Sequence, residues 1–175
     1  MPSAPNVSSE PTQGPDEDAG AFHGYSLIPV YRRITAEQRG EAIRLWLDQG
    51  GLKELCVAER RSHGLVYLAR DPDGGLAGLS SVGLGRRNAD GRTVYDLHVF
   101  IAPTHRIPYL VRELTSRTRD LLKADSRQHP ASGIRLTADN PKLMRPGIRR
   151  YLERHGFQSR GTDQRGVDRW FAPFD

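Results

Sequence analysis

Cysteine is nearly absent from this 175-residue chain, which contains only Cys56. One cysteine cannot form an intrachain disulfide, and it cannot build a zinc site made of thiolates. Long apolar runs are also missing, since no stretch approaches the roughly 20 residues that a membrane-spanning helix needs. The sequence therefore predicts neither a disulfide-stabilised protein nor a helical membrane protein, and no membrane partner.

Several common functional motifs are missing as well. Gly83 and Gly85 precede a predicted hairpin turn rather than a helix, which excludes a dinucleotide-binding fingerprint. No serine lies in a G-x-S-x-G setting, which excludes an α/β-hydrolase, and the six histidines show no metal-ligand spacing, so no metal is expected. The N-terminus has neither the basic nor the apolar region of a signal peptide, so we expect a cytoplasmic protein.

Positive charge is missing from residues 1–24, where Pro, Ser, Gly and acidic side chains dominate. Such a segment cannot bury enough apolar surface to offset the entropy of ordering it. We therefore predict a disordered tail over 1–24, with a tag or linker remnant as the alternative, and one domain over 25–175. All 26 Lys and Arg residues lie in that domain, so it carries more positive charge than the net +5 of the whole chain.

A basic domain attracts anions such as coenzyme phosphates, nucleic acid or acidic protein surfaces, without choosing between them. The densest arginine cluster is Arg145, Arg149, Arg150 and Arg154. No aromatic side chains alternate with it, so stacking on bases is not indicated. The cluster is more typical of a solvated helix face than of a nucleic-acid site, and nucleic acid is not indicated beyond the net basic charge.

The first half of the domain predicts a strand, two helices and a hairpin. Thr35 and Gln38 have the spacing of a capping box, and Gly50 with Gly51 ends the helix that follows. Turn residues Asp71 to Gly74 separate two β-rich runs. The predicted elements are a strand at 25–34, a helix ending at Gly50, a short helix at 52–61, and strands at 65–69 and 76–84.

The second half alternates strands with helices before a last hairpin. A strand at 93–101 is followed by a helix that begins near Pro108, a position where a missing N–H costs nothing. A strand at 133–138 leads to a helix capped by Asp139 or Asn140, with Pro146 implying a kink or restart. Two strands, at 157–161 and 167–171, complete the predicted order.

Two segments of this half match a known pattern. Ile101-Ala-Pro103-Thr-His-Arg106 ends a strand, and Tyr151-Leu-Glu-Arg-His-Gly156-Phe157 follows the next strand and helix. This arrangement resembles the acyl-CoA-binding half of the GCN5-related N-acetyltransferase (GNAT) superfamily. The resemblance covers 25–171 and implies an α/β fold: a mixed, mostly antiparallel sheet of about seven strands, flanked by about four helices. Its one parallel pair, 93–101 with 133–138, is expected to splay where cofactor enters.

The resemblance also implies a cofactor site for acetyl-CoA or another acyl-CoA. In the family, the turn after the strand grips the CoA pyrophosphate, and a helix N-terminus supplies free amides and partial positive charge. Tyr109 and Val111 replace the family's two glycines, and a helix cap with incidental arginines is the alternative interpretation. The candidate cofactor-binding residues are Ile101, Pro103, His105, Arg106, Ile107, Tyr109, Leu110, Val111, Arg112 and Asn140.

Amine acylation requires a base for the amine and benefits from an acid for the departing thiolate. Tyr151 lies at the position where family members often place that acid, although it is also on an apolar helical stripe, as a core tyrosine would be. Asp96 and His98 project from one face of the strand at 93–101, because side chains alternate along a strand. They are the candidate bases, and a structural histidine is the alternative for His98.

These residues predict an acyl-CoA-dependent N-acyltransferase, most simply an N-acetyltransferase, in which an amine attacks the bound thioester directly. The alternative is a catalytically degenerate GNAT-fold module that binds or supports without acyl transfer. The replaced glycines favour the module, whereas Pro103, Arg106, Tyr151 and Gly156-Phe157 favour the enzyme. Expected partners are an acyl-CoA and an unspecified amine acceptor, with a homodimer as one option for assembly.

Overall fold

The computed structural model of the chain describes residues 20–85, 91–129, 131–137 and 145–174. These residues form eight strands, four α-helices and a short 3₁₀ helix at Pro103–His105. The strands are β1 Gly20–Phe22, β2 Tyr25–Pro29, β3 Leu65–Arg70, β4 Leu76–Leu84, β5 Thr93–Ile101, β6 Ala131–Thr137, β7 Gln158–Thr162 and β8 Asp168–Pro173. The helices are α1 Ala36–Asp48, α2 Leu55–Ser62, α3 Leu110–Asp125 and α4 Pro146–Arg154.

All eight strands belong to one mixed sheet with the order β1-β2-β3-β4-β5-β6-β8-β7. The pairs are antiparallel except for β5 and β6, which run parallel. The α/β class and the mixed, mostly antiparallel sheet with four helices are thus confirmed. One strand more than expected is present, because β1 extends the sheet at its first edge.

The parallel pairing of β5 with β6 ends before β5 does. It runs from Thr93 to Leu97, whereas β5 continues to Ile101. Within the described part of the chain, the last four residues of β5 pair only with β4. As far as the described residues show, the sheet is therefore open beside the end of β5, next to the start of α3.

Helices cover the two faces of the sheet in different places. On one face α1 and α2 pack through Trp46 and Ala58 onto β3, β4 and the Phe100 ring of β5. On the other face α3 packs through Leu114 and Leu122, while Leu152 of α4 packs onto β8. Side chains of a strand alternate between faces. Even-numbered residues of β5 consequently share the face of α1 and α2, and odd-numbered ones share that of α3 and α4.

The capping box at the start of α1 is present. The Thr35 hydroxyl accepts a hydrogen bond from the Gln38 amide at 3.2 Å, and the Thr35 amide donates to Gln38 Oε1 at 3.0 Å. The helix ends at Asp48, and Gly50 adopts a left-handed φ of 69° just after it. These signals are local in sequence, which is why they could be identified without tertiary information.

The boundary between tail and domain requires a correction. Residues 20–22 lie in the segment expected to be disordered, yet they form β1 and pair with β2. His23 and Gly24 both have positive φ, at 48° and 84°, as a tight two-residue hairpin requires. Phe22 packs beside the core residues Tyr25 and Leu27 and thereby stabilises the hairpin. The domain thus includes residue 20, while residues 1–19 lie outside the described residues.

Other predicted element boundaries also differ from the structure, most of all those of β2, α2 and α4. β2 ends at Pro29 instead of residue 34, because the chain turns at Arg32, whose φ is 61°. The second helix begins at Leu55 rather than at residue 52. α4 begins at Pro146, and the cap predicted at Asp139 or Asn140 lies outside the described residues. No helix in the described ranges is long and apolar enough to cross a membrane.

Candidate functional site

The turn between β5 and α3 carries most of the predicted cofactor residues. After β5 ends at the buried Ile101, Pro103 opens the 3₁₀ helix, and α3 begins at Leu110. No side chain caps the first turn of α3 in the described structure. Its amides and the positive end of its dipole therefore remain available to an anion. Ile101, Ile107 and Leu110 pack in or against the apolar cluster beneath the turn and position it through their backbones.

Tyr109 immediately precedes α3 and has a φ of 69°, in the left-handed region. A glycine adopts this conformation freely, whereas a residue with a Cβ pays roughly 1–2 kcal/mol for it. The family's first glycine corresponds to this position, so the backbone keeps the glycine conformation although the residue is tyrosine. The ring is 59% exposed, and Val111, at the second glycine position, is 38% exposed. Both side chains therefore lie on the surface beside the free amides.

His105 does not face the candidate phosphate site. Its Nδ1 lies 3.1 Å from the Tyr25 hydroxyl, and its Nε2 lies 3.8 Å from a carboxylate oxygen of Asp71. These contacts anchor the turn to β2 and to the β3–β4 hairpin. Arg106 is exposed instead, and its Nε donates to the Ile101 carbonyl at a long 3.4 Å. Its guanidinium is thus an exposed positive group on this turn.

Arg112 and Tyr151 connect α3 to α4. The Arg112 guanidinium lies over the Tyr109 ring at 4.9 Å and over the Tyr151 ring at 4.8 Å. The Tyr151 hydroxyl donates to the Arg112 carbonyl at 2.9 Å, and the Tyr151 ring stacks on His155 with centroids 4.0 Å apart. Predicted cofactor and acid residues are therefore in direct contact, and Tyr151 holds α4 against the first turn of α3.

The environment of Tyr151 favours the protonated phenol. Burial raises the pKa of Tyr151, and the nearby Arg112 charge opposes that rise only in part. The ring also packs against the apolar cluster of Leu152, Phe157 and Trp170. A protonated phenol can donate to a leaving thiolate, but here its proton is already donated to a backbone carbonyl. The same hydroxyl would thus serve as a packing contact in the structural interpretation and as the acid in the catalytic one.

Asp96 and His98 lie on one face of β5, the face of α1 and α2. Asp96 receives two hydrogen bonds from Arg135 of β6, at 2.5 and 2.8 Å. That interaction raises the pKa of Arg135 and occupies the carboxylate, which ties β5 to β6. His98 lies opposite Ser81 in β4, so the two side chains share a face.

Ser81 is a site residue that sequence reasoning missed. Its hydroxyl is buried and has no hydrogen-bond partner in the described structure. A buried hydroxyl usually has a partner. The serine lies in an apolar run of β4, and only the register with β5 shows that it neighbours His98.

Comparison with known proteins identifies the fold. No family profile and no curated protein sequence matches the chain. Solved structures do match. An acetyltransferase of the GNAT family from Streptococcus pneumoniae shares 13% identity, a TM-score of 0.58, and coverage of 85% of this chain and 99% of its own. One from Listeria monocytogenes shares 14% identity, a TM-score of 0.57, and coverage of 89% and 99%. The chain has the GNAT fold.

A further matching structure is the NatC complex bound to Gag peptide and CoA. It shares 15% identity and a TM-score of 0.60, with coverage of 85% of this chain and 98% of that one. These structural similarities establish the fold of the present chain, and at such low identity they do not establish its chemistry.

Within the GNAT domain, the candidate acid and bases lie on opposite faces of the sheet. Tyr151 belongs to the face of α3 and α4, whereas Asp96 and His98 belong to the face of α1 and α2. The opening beside the end of β5 is where the two faces meet. Asn140 lies outside the described residues, and no group of three or more potential metal ligands occurs within them.

Proposed function

We propose that this chain is an acyl-CoA-dependent N-acyltransferase, most simply an N-acetyltransferase. The observation that carries the proposal is the end of β5–β6 pairing at Leu97, directly beside the uncapped N-terminus of α3. The free amides at the helix N-terminus can bind a phosphate group of the cofactor. The neighbouring opening in the sheet can then hold the thin acyl chain. The GNAT fold supports this assignment. One of the structures that match the chain, the NatC complex, also contains bound CoA.

The proposed cofactor site uses the α3 amides, Arg106 and Arg112. The amides of Leu110, Val111 and Arg112 belong to the first turn of α3, where intrahelical acceptors are missing. Arg106 supplies a charge from the preceding turn, and Arg112 supplies one from the helix itself. Ile101, Pro103, His105 and Ile107 shape the turn, and the Tyr109 ring borders it. We assign no metal to the reaction.

In the proposed reaction, an amine attacks the thioester carbonyl, and the CoA thiolate leaves. His98 accepts the amine proton from the face of α1 and α2, because an imidazole titrates near neutral pH. Tyr151 donates a proton to the thiolate from the face of α3 and α4, after its hydroxyl leaves the Arg112 carbonyl. Asp96 holds Arg135 and β6 in place. The net products are an amide and free CoA.

Two observations favour a second candidate, a GNAT-fold module without acyl transfer. The Tyr109 Cβ stands at a glycine conformation beside the candidate phosphate site. The Tyr151 hydroxyl is engaged by a backbone carbonyl. Such a protein would use the fold to bind a ligand or to serve as a structural module, and Tyr109 and Tyr151 would contribute only to packing. Homodimer formation and a cytoplasmic location remain predictions under either function.

Calorimetry with acetyl-CoA, free CoA and a longer acyl-CoA tests the proposal. We expect binding to the wild type and a loss of at least about tenfold in Arg106→Ala, as for a charged hydrogen bond. Arg127→Ala is the matched control, because Arg127 is exposed beyond the other end of α3. Absence of heat with all three ligands contradicts the enzyme and leaves the binding module. Binding should be followed by thiol release when an amine is added.

A further inference from the structure

Four strands place a row of side chains on one uncovered part of the sheet. The registers align Asp96 of β5 with Arg135 of β6, Arg135 with Phe171 of β8, and Phe171 with Gln158 of β7. We call this part of the sheet, on the α1 and α2 face, the open face. Its members are Asp96, His98, Arg135, Thr137, Gln158, Arg160, Arg169 and Phe171.

No described helix covers the open face. The helices α1 and α2 pack on β3, β4 and Phe100, to one side of it. The helices α3 and α4 lie on the opposite side of the sheet. Accordingly the side chain of Arg135 is 38% exposed, Arg160 and Arg169 are exposed, and Phe171 is half-buried. The open face begins at His98, the proposed base, and extends across to β7.

The open face is positively charged. Asp96 is its one carboxylate, and Arg135 neutralises that charge. Arg160 lies over the Phe171 ring at 5.2 Å and donates to Gln158, an uncharged partner. Arg169 forms no ion pair within the described structure. Among the described residues, Arg160 and Arg169 thus have no acidic partner, and Arg160 lies over an aromatic ring.

The β7–β8 turn, at the end of the open face, does not change the net positive charge of that face. Arg169 lines an open depression there with Thr162, Asp163 and Arg165. Hydrogen bonds from the Val167 amide and then from Arg165 lower the pKa of Asp163, so its carboxylate is charged. That carboxylate accepts from the Arg165 side chain and from two backbone amides. It is therefore committed within the turn and does not neutralise Arg169.

We propose that the acceptor of the acyl group is an amine that also carries a carboxylate, such as a short acidic peptide. This inference rests on the proposed acyl transfer. Arg169 and Arg160 bind the carboxylate, and the amine lies near His98. β8 is two strand positions from β5, so the backbones of the two strands lie about 10 Å apart where β5, β6 and β8 are paired. The separation is larger at His98, which lies just beyond the last β5–β6 pair at Leu97. A dipeptide can span the gap that remains once the long arginine side chain reaches inward.

A matched set of amines tests the acceptor class. Glycylglutamate carries the carboxylates, glycylglutaminamide has the same shape without them, and spermidine carries only positive charge. We expect kcat/KM for glycylglutamate to exceed those for the other two by about tenfold or more, because charged hydrogen bonds to arginine are strong. Equal or better turnover of spermidine overturns the proposal.

Arg169→Gln and Arg160→Gln locate the effect. Each should raise KM for glycylglutamate about tenfold, change kcat little, and leave glycylglutaminamide unaffected. Arg154→Gln is the control, since Arg154 is an exposed arginine of α4 on the other side of the sheet. Thermal unfolding checks that all variants fold. If Arg169→Gln and Arg160→Gln both behave like Arg154→Gln, the carboxylate site is wrong.

Direct binding separates this inference from the proposed function. Calorimetry measures glycylglutamate binding to the protein with and without acetyl-CoA, independently of turnover. Binding that Arg169→Gln abolishes, with no acylation of any amine, supports the carboxylate site and contradicts the enzyme. Acylation of neutral or cationic amines with no binding of glycylglutamate supports the enzyme and contradicts the site. If neither binding nor turnover is observed, both the carboxylate site and the enzyme are rejected.

Discussion

Tyr109 combines a left-handed backbone with a large exposed side chain at the start of α3. Replacing it by glycine removes the Cβ strain and the ring, whereas replacing it by alanine removes only the ring and its contact with Arg112. We expect Tyr109→Gly to be more stable than Tyr109→Ala by about 1 kcal/mol, since only glycine adopts this φ freely. Urea unfolding of both variants measures the difference.

The same pair of variants tests the cofactor turn. Without a Cβ, the backbone at residue 109 can approach a phosphate as the family's glycine does. We expect Tyr109→Gly to bind acetyl-CoA more tightly than the wild type, and Tyr109→Ala to show a smaller gain. If Tyr109→Ala and Tyr109→Gly have equal unfolding free energies and equal affinities for acetyl-CoA, the left-handed conformation assigned to residue 109 is wrong.

Tyr151→Phe distinguishes an acid from a packing tyrosine. The ring and its stacking on His155 remain, and the hydrogen bond to the Arg112 carbonyl is lost. We expect a loss of about 1 kcal/mol in unfolding free energy. As an acid, the hydroxyl also contributes about 10²–10⁴-fold in turnover, with acyl-CoA affinity nearly unchanged. Loss of stability with wild-type turnover would assign the hydroxyl to packing alone.

Tyr95 should make the fold sensitive to alkaline pH. Burial, and then the hydrogen bond shared with the Tyr31 hydroxyl, raise the pKa of Tyr95 to about 12. Because the folded pKa lies above the unfolded value near 10, the protonated phenol stabilises the fold fully below pH 10. That contribution is lost as the pH rises from about 10 to 12. Unfolding free energy should fall less steeply over this range in Tyr95→Phe, and equal slopes would contradict the assignment.

At the scale of elements, strands with local signals were predictable. The ranges of β4 and β5 match the prediction, because turn residues bound both runs and β-formers fill them. The β1 hairpin was missed because nothing about His23 in the sequence predicts a positive φ. Phe22 stabilises the hairpin only by packing on the core, which a local pattern does not show. Composition over 24 residues cannot resolve a three-residue strand at the end of the segment.

The candidate site divides in the same way. Tyr151 and Arg112 were predicted as separate functional residues, and their direct contact follows from how α4 packs on α3. The partners of His105 and Asp96 are distant in sequence: Tyr25 lies 80 residues away and Arg135 lies 39 away. Such pairings depend on strand register and helix packing, which no local pattern encodes. Sequence therefore identified the turn but not the orientation of its side chains.

Two truncations test the corrected boundary at β1. Removal of residues 1–19 should leave the melting temperature nearly unchanged, because β1 begins at Gly20. Removal of residues 1–24 deletes β1, unpairs the edge of β2 and removes the Phe22 ring from its apolar cluster. We expect the longer truncation to unfold at a lower temperature, since a half-buried aromatic side chain contributes on the order of 1 kcal/mol. Identical melting temperatures would return the boundary to residue 24.

At the scale of the whole molecule, the opening beside β5 separates two parts that a ligand would join. One part contains β1 to β5 with α1 and α2, and the other contains β6 to β8 with α4. Next to the opening, the two parts are joined by the β5–β6 ladder, which includes the Asp96–Arg135 pair, and by the hydrogen bond from Tyr151 to α3. In the proposed function, an acyl-CoA bound there would add contacts to both parts and would bind only the folded protein.

Acetyl-CoA should consequently stabilise the entire domain rather than one loop. At a concentration 100 times its Kd, a ligand specific for the folded state adds about 2.7 kcal/mol. For a domain of this size, that corresponds to a rise of roughly 5–11 °C in melting temperature. Hydrogen exchange should slow in β5, β6 and the first turn of α3 together. Protection confined to α3 would indicate an anion at a helix end, and a ligand that does not enter the sheet opening.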